Sequence, residues 1–563
     1  MENTSFNPKQ PNNILTIIIE DYFQVGSFQH LIPKEYWGRF ESRLNRNVCT
    51  ALDLLDKNGS TATFFVCGWI AQNHPEIVKH IASKGHDIAC QGYFHHNVED
   101  LSASEFVKDV QRSKSALERA LGHEVYGFRM ARGWLKPSQL WLLQELADLG
   151  FKYDSSLCRQ GFNFAFRPEW GEIHQHLLEG SKLIEVPVSS ASFGGWSVPI
   201  AGGNYWRQFP LWLFNRWIKK WMNSHQQPLV SYFHIWELDP EQPIISAASS
   251  LQKIRHYRNL ATMKDKVQHY LQRYSFTSIE QYLQFPKPVK ITEKYQHCNS
   301  TSKNSKVLEV CDLTLVIPCY NEQQTLSYLK NTLYRFSQSN KDTLNLHYIF
   351  IDDGSNDNTW NCLQNLFAEQ NQTRIIQHQE NQGIAAALIT GFAEVHTELL
   401  AVLDADCTFS PEQLTYMLAL MTDNVDVVSA SPMHSQGSMR NVAYWRQSLS
   451  KGAALLHSLV LHHKLTSYTS CFRLYRQHTI KDMTVSNPGF CGVTEILAKI
   501  DLAGYHIVEY PAVLEVRLLG ASKINVFTTM LEHIQLVIKL ARMRISGKVP
   551  KIDLVDEDEH RVE

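Results

Sequence analysis

The chain has 563 residues, more than one hydrophobic core carries, so its length predicts about three to four ordinary domains or two large ones. Hydrophobic residues make up 44% and charged residues 20%, which excludes wholesale disorder. Lysine and arginine number 54 against 56 acidic residues, a formal charge of −2, and that near-balance argues against a nucleic-acid partner.

Cysteines number 11, scattered as singletons from Cys49 to Cys491 without a Cys-x-x-Cys pair. That pattern predicts reduced thiols in a cytosolic protein, not a disulfide framework or zinc ribbon. The sequence holds no run of about 18 or more uncharged apolar residues. Its opening, MENTSFNPKQPNN, lacks the basic start and apolar stretch of a secretory signal, so a cytoplasmic location is expected.

The first block, residues 14–285, alternates short apolar runs with amphipathic stretches: ILTIII, TATFFVCGW, PEIVKHIASKG, HDIACQG. Strand, helix and strand in that order predict βα units around a parallel sheet or barrel. Residues 286–311 are rich in Lys, Ser, Asn and Thr and read as a polar linker. The second block, 312–548, opens with the strand LTLVIP, ending at Cys319–Glu322, and an amphipathic stretch from Gln324 to about Ser337. The strand LHYIFI ends at Asp352-Asp353-Gly354-Ser355, with a helix from near Asp357, and LLAVLDADC ends at Asp404-Ala405-Asp406. Residues 549–563 carry six acidic side chains and read as a solvated tail. Ligands of a parallel α/β sheet bind beyond the carboxyl ends of its strands, so three strands are expected to deliver acidic groups to one edge. Two carboxylates one residue apart can share a divalent cation while phosphate oxygens and water complete its shell. Asp352 and Asp353 would then hold the ribose or the base.

PCYNE, IDDGSNDNT, ENQGIAAALITGF, LDADCTFSPE, TSYTSCFRLYR and VRLLGASK carry a specific likeness. The second block resembles family 2 glycosyltransferases of the GT-A fold, nearest the branch that includes dolichyl- or polyprenyl-phosphate sugar transferases. The resemblance implies a GT-A nucleotide-sugar-binding α/β domain. In it Pro318, Tyr320, Asn321, Glu322, Asp352 and Asp353 hold the nucleoside, and Asn381 and Gly383 shape the donor site. Asp404 and Asp406 hold Mg²⁺ or Mn²⁺, and Arg517, Ser522 and Lys523 grip an acceptor phosphate. The implied partners are a nucleotide diphosphate sugar and a polyprenyl phosphate or glycan acceptor. Ser467 and Cys471 stand where such relatives commonly have Asp and Gly, so the acceptor subsite is expected to differ. A sugar-hydroxyl acceptor needs a general base, for which Glu495 is the candidate, with a structural role as its alternative. A lipid phosphate needs only positioning and charge stabilisation by Arg517 and Lys523.

After Lys523, the apolar residues Phe527, Met530, Leu531, Ile534, Val537, Ile538 and Ala541 fall on one helical face, and Lys539, Arg542, Arg544 and Lys548 make its end basic. Packing on its own domain is the weightier reading. The other is a helix on an anionic membrane surface, giving peripheral contact at the inner face of the cell membrane.

LTIIIEDYFQV, GHDIACQGYFHH, GFR, FKYDSSL, LIEVPVS, PIAGGNYWR and YFHIWELDPEQP make the first block resemble polysaccharide deacetylases of the NodB-homology class. That implies a distorted (β/α) barrel in which a carboxylate and two histidines hold a metal, an Asp is base and a His is acid. Ile18 stands at the position of the base. Glu20 and Asp21 remain, either of which could be the carboxylate ligand, and Gln91 and His95 occupy the two histidine positions. An amide oxygen is a poor zinc ligand, so zinc or another divalent metal is not expected there. His96 lies next door but should point differently, His234 remains as candidate acid, and Arg129 persists in GFR. Tyr93, Phe94, Trp134, Trp206 and Trp236 would either line a sugar-holding wall or form core. The leading expectation is a metal-dependent glycosyltransferase fused to an inactive deacetylase barrel, in polysaccharide biosynthesis. The alternatives are a bifunctional enzyme with an active carbohydrate N-deacetylase, or a barrel acting as a glycan-binding or scaffold module.

Overall fold

The computed structural model describes residues 13–159, 168–193, 196–200, 202–286, 310–442, 444–520 and 526–546. Residues 287–309 of the expected linker and the whole expected tail lie outside them. The chain divides into two compact units: Met1–Lys34, Ser42–Pro243 and Ser249–Ser300 make the first, and Glu35–Glu41, Ile244–Ala248 and Thr301–Glu563 the second. Patterning gave no sign that the second unit takes in two short segments of the first half. Hydrogen bonds hold one of them there: Tyr36 Oη donates to Glu515 at 2.8 Å and Arg39 Nη2 to Glu412 at 3.0 Å.

The strands of the first unit are β1 (Asn13–Ile19), β2 (Thr63–Val66), β3 (Asp87–Cys90), β4 (Gly127–Phe128), β5 (Tyr153–Asp154), β6 (His174–Leu178), β7 (Ser181–Glu185), β8 (Ser190–Phe193), β9 (Trp196–Pro199), β10 (Val230–His234) and β11 (Phe276–Thr277). β1 is buried at every position, which its unbroken apolar sequence dictates, since helices cover both faces of a parallel sheet. The main sheet runs β10-β1-β2-β3-β4-β5-β7-β6, with β11 also on β1; β6 and β7 form an antiparallel hairpin, and β8 and β9 a separate one. Beyond β7, Ser189 N donates to Val230 O at 3.2 Å and Ser189 Oγ accepts from Val230 N at 2.9 Å. Those bonds bring the chain back to β10 and give a distorted (β/α) barrel. Helices such as Ala103–Leu121, opened by a Ser102/Glu105 capping box and closed by left-handed Gly122, bury their apolar stripe against this sheet.

The second unit contains β12 (Cys311–Cys319), β13 (Leu344–Asp352), β14 (Thr373–Gln377), β15 (Leu399–Val402), β16 (Val427–Ser431), β17 (Ser438–Met439), β18 (Arg473–Arg476), β19 (Ile507–Pro511) and β20 (Val513–Leu514). Its sheet runs β14-β13-β12-β15-β18-β16-β19, parallel except for β18, which is antiparallel to β15 and β16. β13, β12 and β15 are neighbours, with Cys319 opposite Asp352 and Val316 opposite Val402, so their carboxyl ends share one edge.

The Val526–Ser546 helix departs from the expected face. It turns Leu536 and Leu540 into the core and half-buries Val537 and Ala541, while Met530, Leu531, Ile534 and Ile538 stay between 41% and 50% exposed. The side chain of Phe527 lies outside the described residues. Among the described residues no helix is long and apolar enough to cross a membrane.

Candidate active site

The acidic edge of the second unit is built by the ends of β12, β13 and β15. Leu403 N donates to Val316 O at 3.1 Å, which carries β15 one residue further and delivers Asp404. Cys407, in left-handed conformation at φ 51°, then turns the chain, and Asp406 Oδ1 accepts from Thr408 N at 3.0 Å. Burial, with Asp406 adding to it for Asp404, pushes both carboxyls above the ordinary aspartate range, while Arg517 pulls them back. The Cys471 thiol bonds Asp404 and is itself pushed up by burial and by that carboxylate.

Arg517 bridges two of the strand ends. Its Nη1 lies 3.5 Å from Asp406 Oδ2, its Nη2 bonds Glu322 Oε2, and its Nε donates to Leu519 O at 3.0 Å. Glu322 is fixed in turn, because its backbone N donates to Thr359 Oγ1 at 2.7 Å and its Oε2 accepts from Thr325 Oγ1 at 2.8 Å.

Asp352 and Asp353 end β13 in different circumstances. Asp352 accepts from Ser355 N and Gln377 Nε2, both at 3.2 Å. Both oxygens of Asp353 face its own chain: Oδ1 meets His378 Nδ1 at 2.7 Å and Gln382 N at 2.9 Å, and Oδ2 accepts from Gly383 N at 2.8 Å and Asn381 Nδ2 at 3.0 Å. Asp353 thereby holds the Asn381–Gly383 loop. Gly383 has φ 97°, and an added Cβ would come within 2.4 Å of Pro488 O. Asn321, also left-handed, accepts Asn356 N at 2.7 Å and donates its own N to Ser355 Oγ at 2.8 Å, locking the β12 and β13 loops together. Pro318 and Tyr320 are half-buried on the same edge.

Glu495 sits on the Phe490–Leu502 helix, 1% exposed. It accepts from Ser486 N at 3.0 Å, Ser486 Oγ at 2.8 Å and Asn487 N at 3.1 Å, and both Lys499 and Lys539 reach Oε1 at 3.2 Å. Burial would raise its carboxyl, but the Ser486 bond and Lys499 bring it below the ordinary range. These bonds brace the loop whose Pro488 O accepts Ala385 N at 2.9 Å. Ser467 N donates to Glu509 at 3.0 Å. Ser522 and Lys523 lie outside the described residues.

In the barrel, Glu20 is the centre. Its carboxylate meets His95 Nδ1 at 3.2 Å, accepts from Trp236 Nε1 at 2.9 Å and pairs with His234 Nδ1. Burial pushes Glu20 up, yet His234 and His95 hold it down at about 2; burial pulls His234 down, and Glu20 more than reverses this. Burial takes His95 to about 4. The cluster thus favours a charged Glu20 carboxylate, and burial works against charge on His95. Gln91 Oε1 lies 3.3 Å from His95 Nε2, and Gln91 Nε2 has no hydrogen-bond partner. Asp21 turns away from the expected ligand group: it accepts from Ser42 Oγ at 2.8 Å and Arg43 N at 2.9 Å, and burial raises it to about 7. His96 also points elsewhere, at Lys34 Nζ (2.8 Å) and Asp109 (3.6 Å). Arg129 bonds Thr16 Oγ1 at 2.9 Å and Ser155 Oγ at 2.7 Å. Ile18 is buried, in register with His234. Tyr93, Trp206 and Trp236 are core, whereas Phe94 and Trp134 are half-buried.

Among the described residues no group of three or more His, Cys, Asp or Glu is arranged as a metal cage. Sequence reading missed the roles of His378 and Thr359, and that Trp236 would bond Glu20. The only signal for His378 was its place one residue past a short strand, level with Asp353.

The chain thus has two parts, a (β/α) barrel with a buried carboxylate–histidine cluster and a mostly parallel α/β sheet with acidic strand ends. Family models match it in the same arrangement: "Polysaccharide deacetylase" over residues 34–153, "Domain of unknown function (DUF3473)" over 163–284, and "Glycosyl transferase family 2" over 314–484. The chain joins a polysaccharide deacetylase domain to a family 2 glycosyltransferase domain. It is 26% identical over 242 residues to the dolichol-phosphate mannosyltransferase of Pyrococcus furiosus, covering 43% of this chain and 66% of that protein. It is 25% identical over 218 residues to the polyprenol monophosphomannose synthase of Mycolicibacterium smegmatis, covering 38% and 80%. The solved structure of mannosyltransferase PcManGT from Pyrobaculum calidifontis, in complex with GDP-Man and Mn²⁺, shares 16% identity over 42% of this chain and 68% of that one, at a TM-score of 0.30.

Proposed function

We propose that the protein moves a sugar from a nucleotide diphosphate sugar to a polyprenyl phosphate, and that its barrel no longer hydrolyses amides. The observation that carries this reading is the convergence of Glu322, Asp404 and Asp406 on the carboxyl edge of β12 and β15, with a cation, Arg517, already among them. This all-oxygen donor set fits Mg²⁺ or Mn²⁺, with Asp404 and Asp406 as the protein ligands and phosphate and water for the remainder. When bound, that ion would neutralise charge on the departing diphosphate. The Asn381–Gly383 loop, braced by Asp353, shapes the donor side, and Asp352 and Asn321 lie where the nucleoside would rest.

A phosphate acceptor is supported by three things. The mannosyltransferase and the synthase are named for dolichol and polyprenol phosphate. The Glu495 carboxylate is taken up by Ser486, Asn487, Lys499 and Lys539, so it is not offered as a base. A phosphate oxygen is already an anion, so positioning and charge suffice. The exposed apolar face of the Val526–Ser546 helix suits contact with a lipid surface, which would put the protein at the inner face of the cell membrane.

The barrel lacks a proton acceptor at Ile18, offers an amide at Gln91, and engages its remaining carboxylate, Glu20, with His234 and Trp236. The test incubates the full chain with labelled nucleotide sugars and polyprenyl phosphate, with and without Mn²⁺. Label in the lipid phase that depends on Mn²⁺ is expected. Label appearing only on glycan would replace the acceptor, and none with any donor would reject the transferase reading.

A further inference from the structure

We propose that Arg517 is the built-in counter-ion of the acidic edge and exchanges with the divalent cation, so that metal binding releases its guanidinium for the acceptor phosphate. This rests on the reading that Asp404 and Asp406 hold the metal. The guanidinium is forked between Glu322 Oε2 and Asp406 Oδ2, and its Nε is tied to Leu519 O, so all three arms of the group have an assigned place. Gly520, left-handed at φ 72°, has room for little more than hydrogen on that side: a Cβ there would lie 3.2 Å from Arg517 Nη2. The local backbone therefore admits the guanidinium to the acidic edge.

Two cations cannot share that edge. A divalent ion on Asp406 would lie within a few ångströms of a guanidinium nitrogen 3.5 Å from the same carboxylate, and like charges that close repel strongly in a partly buried setting. The ion with its diphosphate is the stronger competitor for Asp406, because it brings two charges and a phosphate shell. Displaced, Arg517 keeps its charge and its Leu519 neighbour and is free to make the two parallel hydrogen bonds that suit a phosphate. Binding then has an order: donor with metal first, acceptor second. Before the donor arrives, the guanidinium offsets part of the edge's charge and the acceptor clamp is closed.

The test uses the full chain and Mn²⁺ alone. Electron paramagnetic titration should show Arg517→Gln binding Mn²⁺ more tightly than the wild type by about fivefold or more, with Arg517→Lys between them. Phenylglyoxal labelling of the wild type, mapped by mass spectrometry, should modify Arg517 several times faster when Mn²⁺ is added, a readout that needs no variant to fold. Unchanged or weaker Mn²⁺ affinity in folded Arg517→Gln, or labelling of Arg517 indifferent to Mn²⁺, overturns the exchange. Asp406→Asn separates the two levels: loss of Mn²⁺ binding there keeps the metal site even if the exchange fails, while wild-type binding rejects the metal site itself.

Discussion

His378 Nδ1 lies 2.7 Å from Asp353 Oδ1, and the same carboxylate receives the amides of Gln382 and Gly383. His378 Nε2 reaches Thr390 Oγ1 at 3.0 Å, so the pair ties the end of β13 to the Ile384–Phe392 helix across the donor loop. Asp353→Asn would exchange one acceptor oxygen for an NH₂ facing donors. We expect about 1–3 kcal/mol lower stability and a rise in the nucleotide-sugar KM of roughly tenfold, with a smaller change in kcat. Chemical denaturation and steady-state kinetics check both, and an equal fall in kcat with unchanged KM would point to direct chemistry instead.

Asp406→Ala should abolish the dependence on Mg²⁺ or Mn²⁺ and lower transfer on the order of 10³-fold or more, because charge on the departing diphosphate loses its partner. The fold should persist, since one member of a like-charged, half-buried pair is removed. Near wild-type turnover in a folded Asp406→Ala protein would reject the assignment.

The strand ends were legible because a parallel sheet leaves its chemistry where apolar runs stop: LTLVIP, LHYIFI and LLAVL each halt at the residues that converge. Which neighbour does what was not legible. Glu20 and Asp21 are adjacent at the end of β1, and successive side chains there diverge, so one meets His95 and His234 while the other braces Ser42 and Arg43. Asp352 and Asp353 differ in the same way. The Val526–Ser546 helix carries two apolar ladders, Leu536/Leu540 and Ile534/Ile538, each at i and i+4. Periodicity accepts either, and only the tertiary fit to Leu461, Leu497 and their neighbours selects the first.

The acceptor's chemistry separates two variants. With a phosphate acceptor, Glu495→Gln should keep kcat within about threefold while lowering the melting temperature, since Ser486, Asn487 and both lysines lose a charged partner. Arg517→Ala on the same acceptor should be severely impaired. A hydroxyl acceptor using Glu495 as base would invert that ranking.

His457 Nε2 and His533 Nδ1 meet at 3.2 Å inside the second unit, both buried, and this pair sets a pH dependence. Burial, and then the other imidazole, holds His457 down at about 4, and burial lowers His533. An imidazole whose folded pKa is below its unfolded value binds fewer protons when folded. Its stabilisation is therefore complete above about pH 6.5 and lost as pH falls through about 4. Between pH 7 and pH 4 the second unit should lose on the order of 2–3 kcal/mol from this site, and His457→Gln should flatten that part of the profile. A wild-type slope surviving in His457→Gln would assign it to other groups.

The barrel's prediction follows from two missing parts at one site. Hydrolysis through a metal-held water needs ligands strong enough for the ion and a base close enough for the proton. Gln91 supplies an amide where an imidazole is needed, and Ile18, buried and opposite His234, supplies no base. Glu20 meanwhile is held by His234 and Trp236, an arrangement an incoming cation would have to break. The full-length protein should therefore release no acetate from acetylated chitooligosaccharides, with or without added zinc or cobalt. Ile18→Asp alone places a carboxyl in a buried pocket without an ion to serve, and Gln91→His alone gathers a ligand without a base, so neither single change should restore activity. The double variant is the one that should give measurable acetate release, at a cost of a few kcal/mol in stability from burying the new carboxyl. Stoichiometric zinc and clear acetate release by the unaltered chain would establish the bifunctional reading, with a ligand other than Gln91 completing the shell.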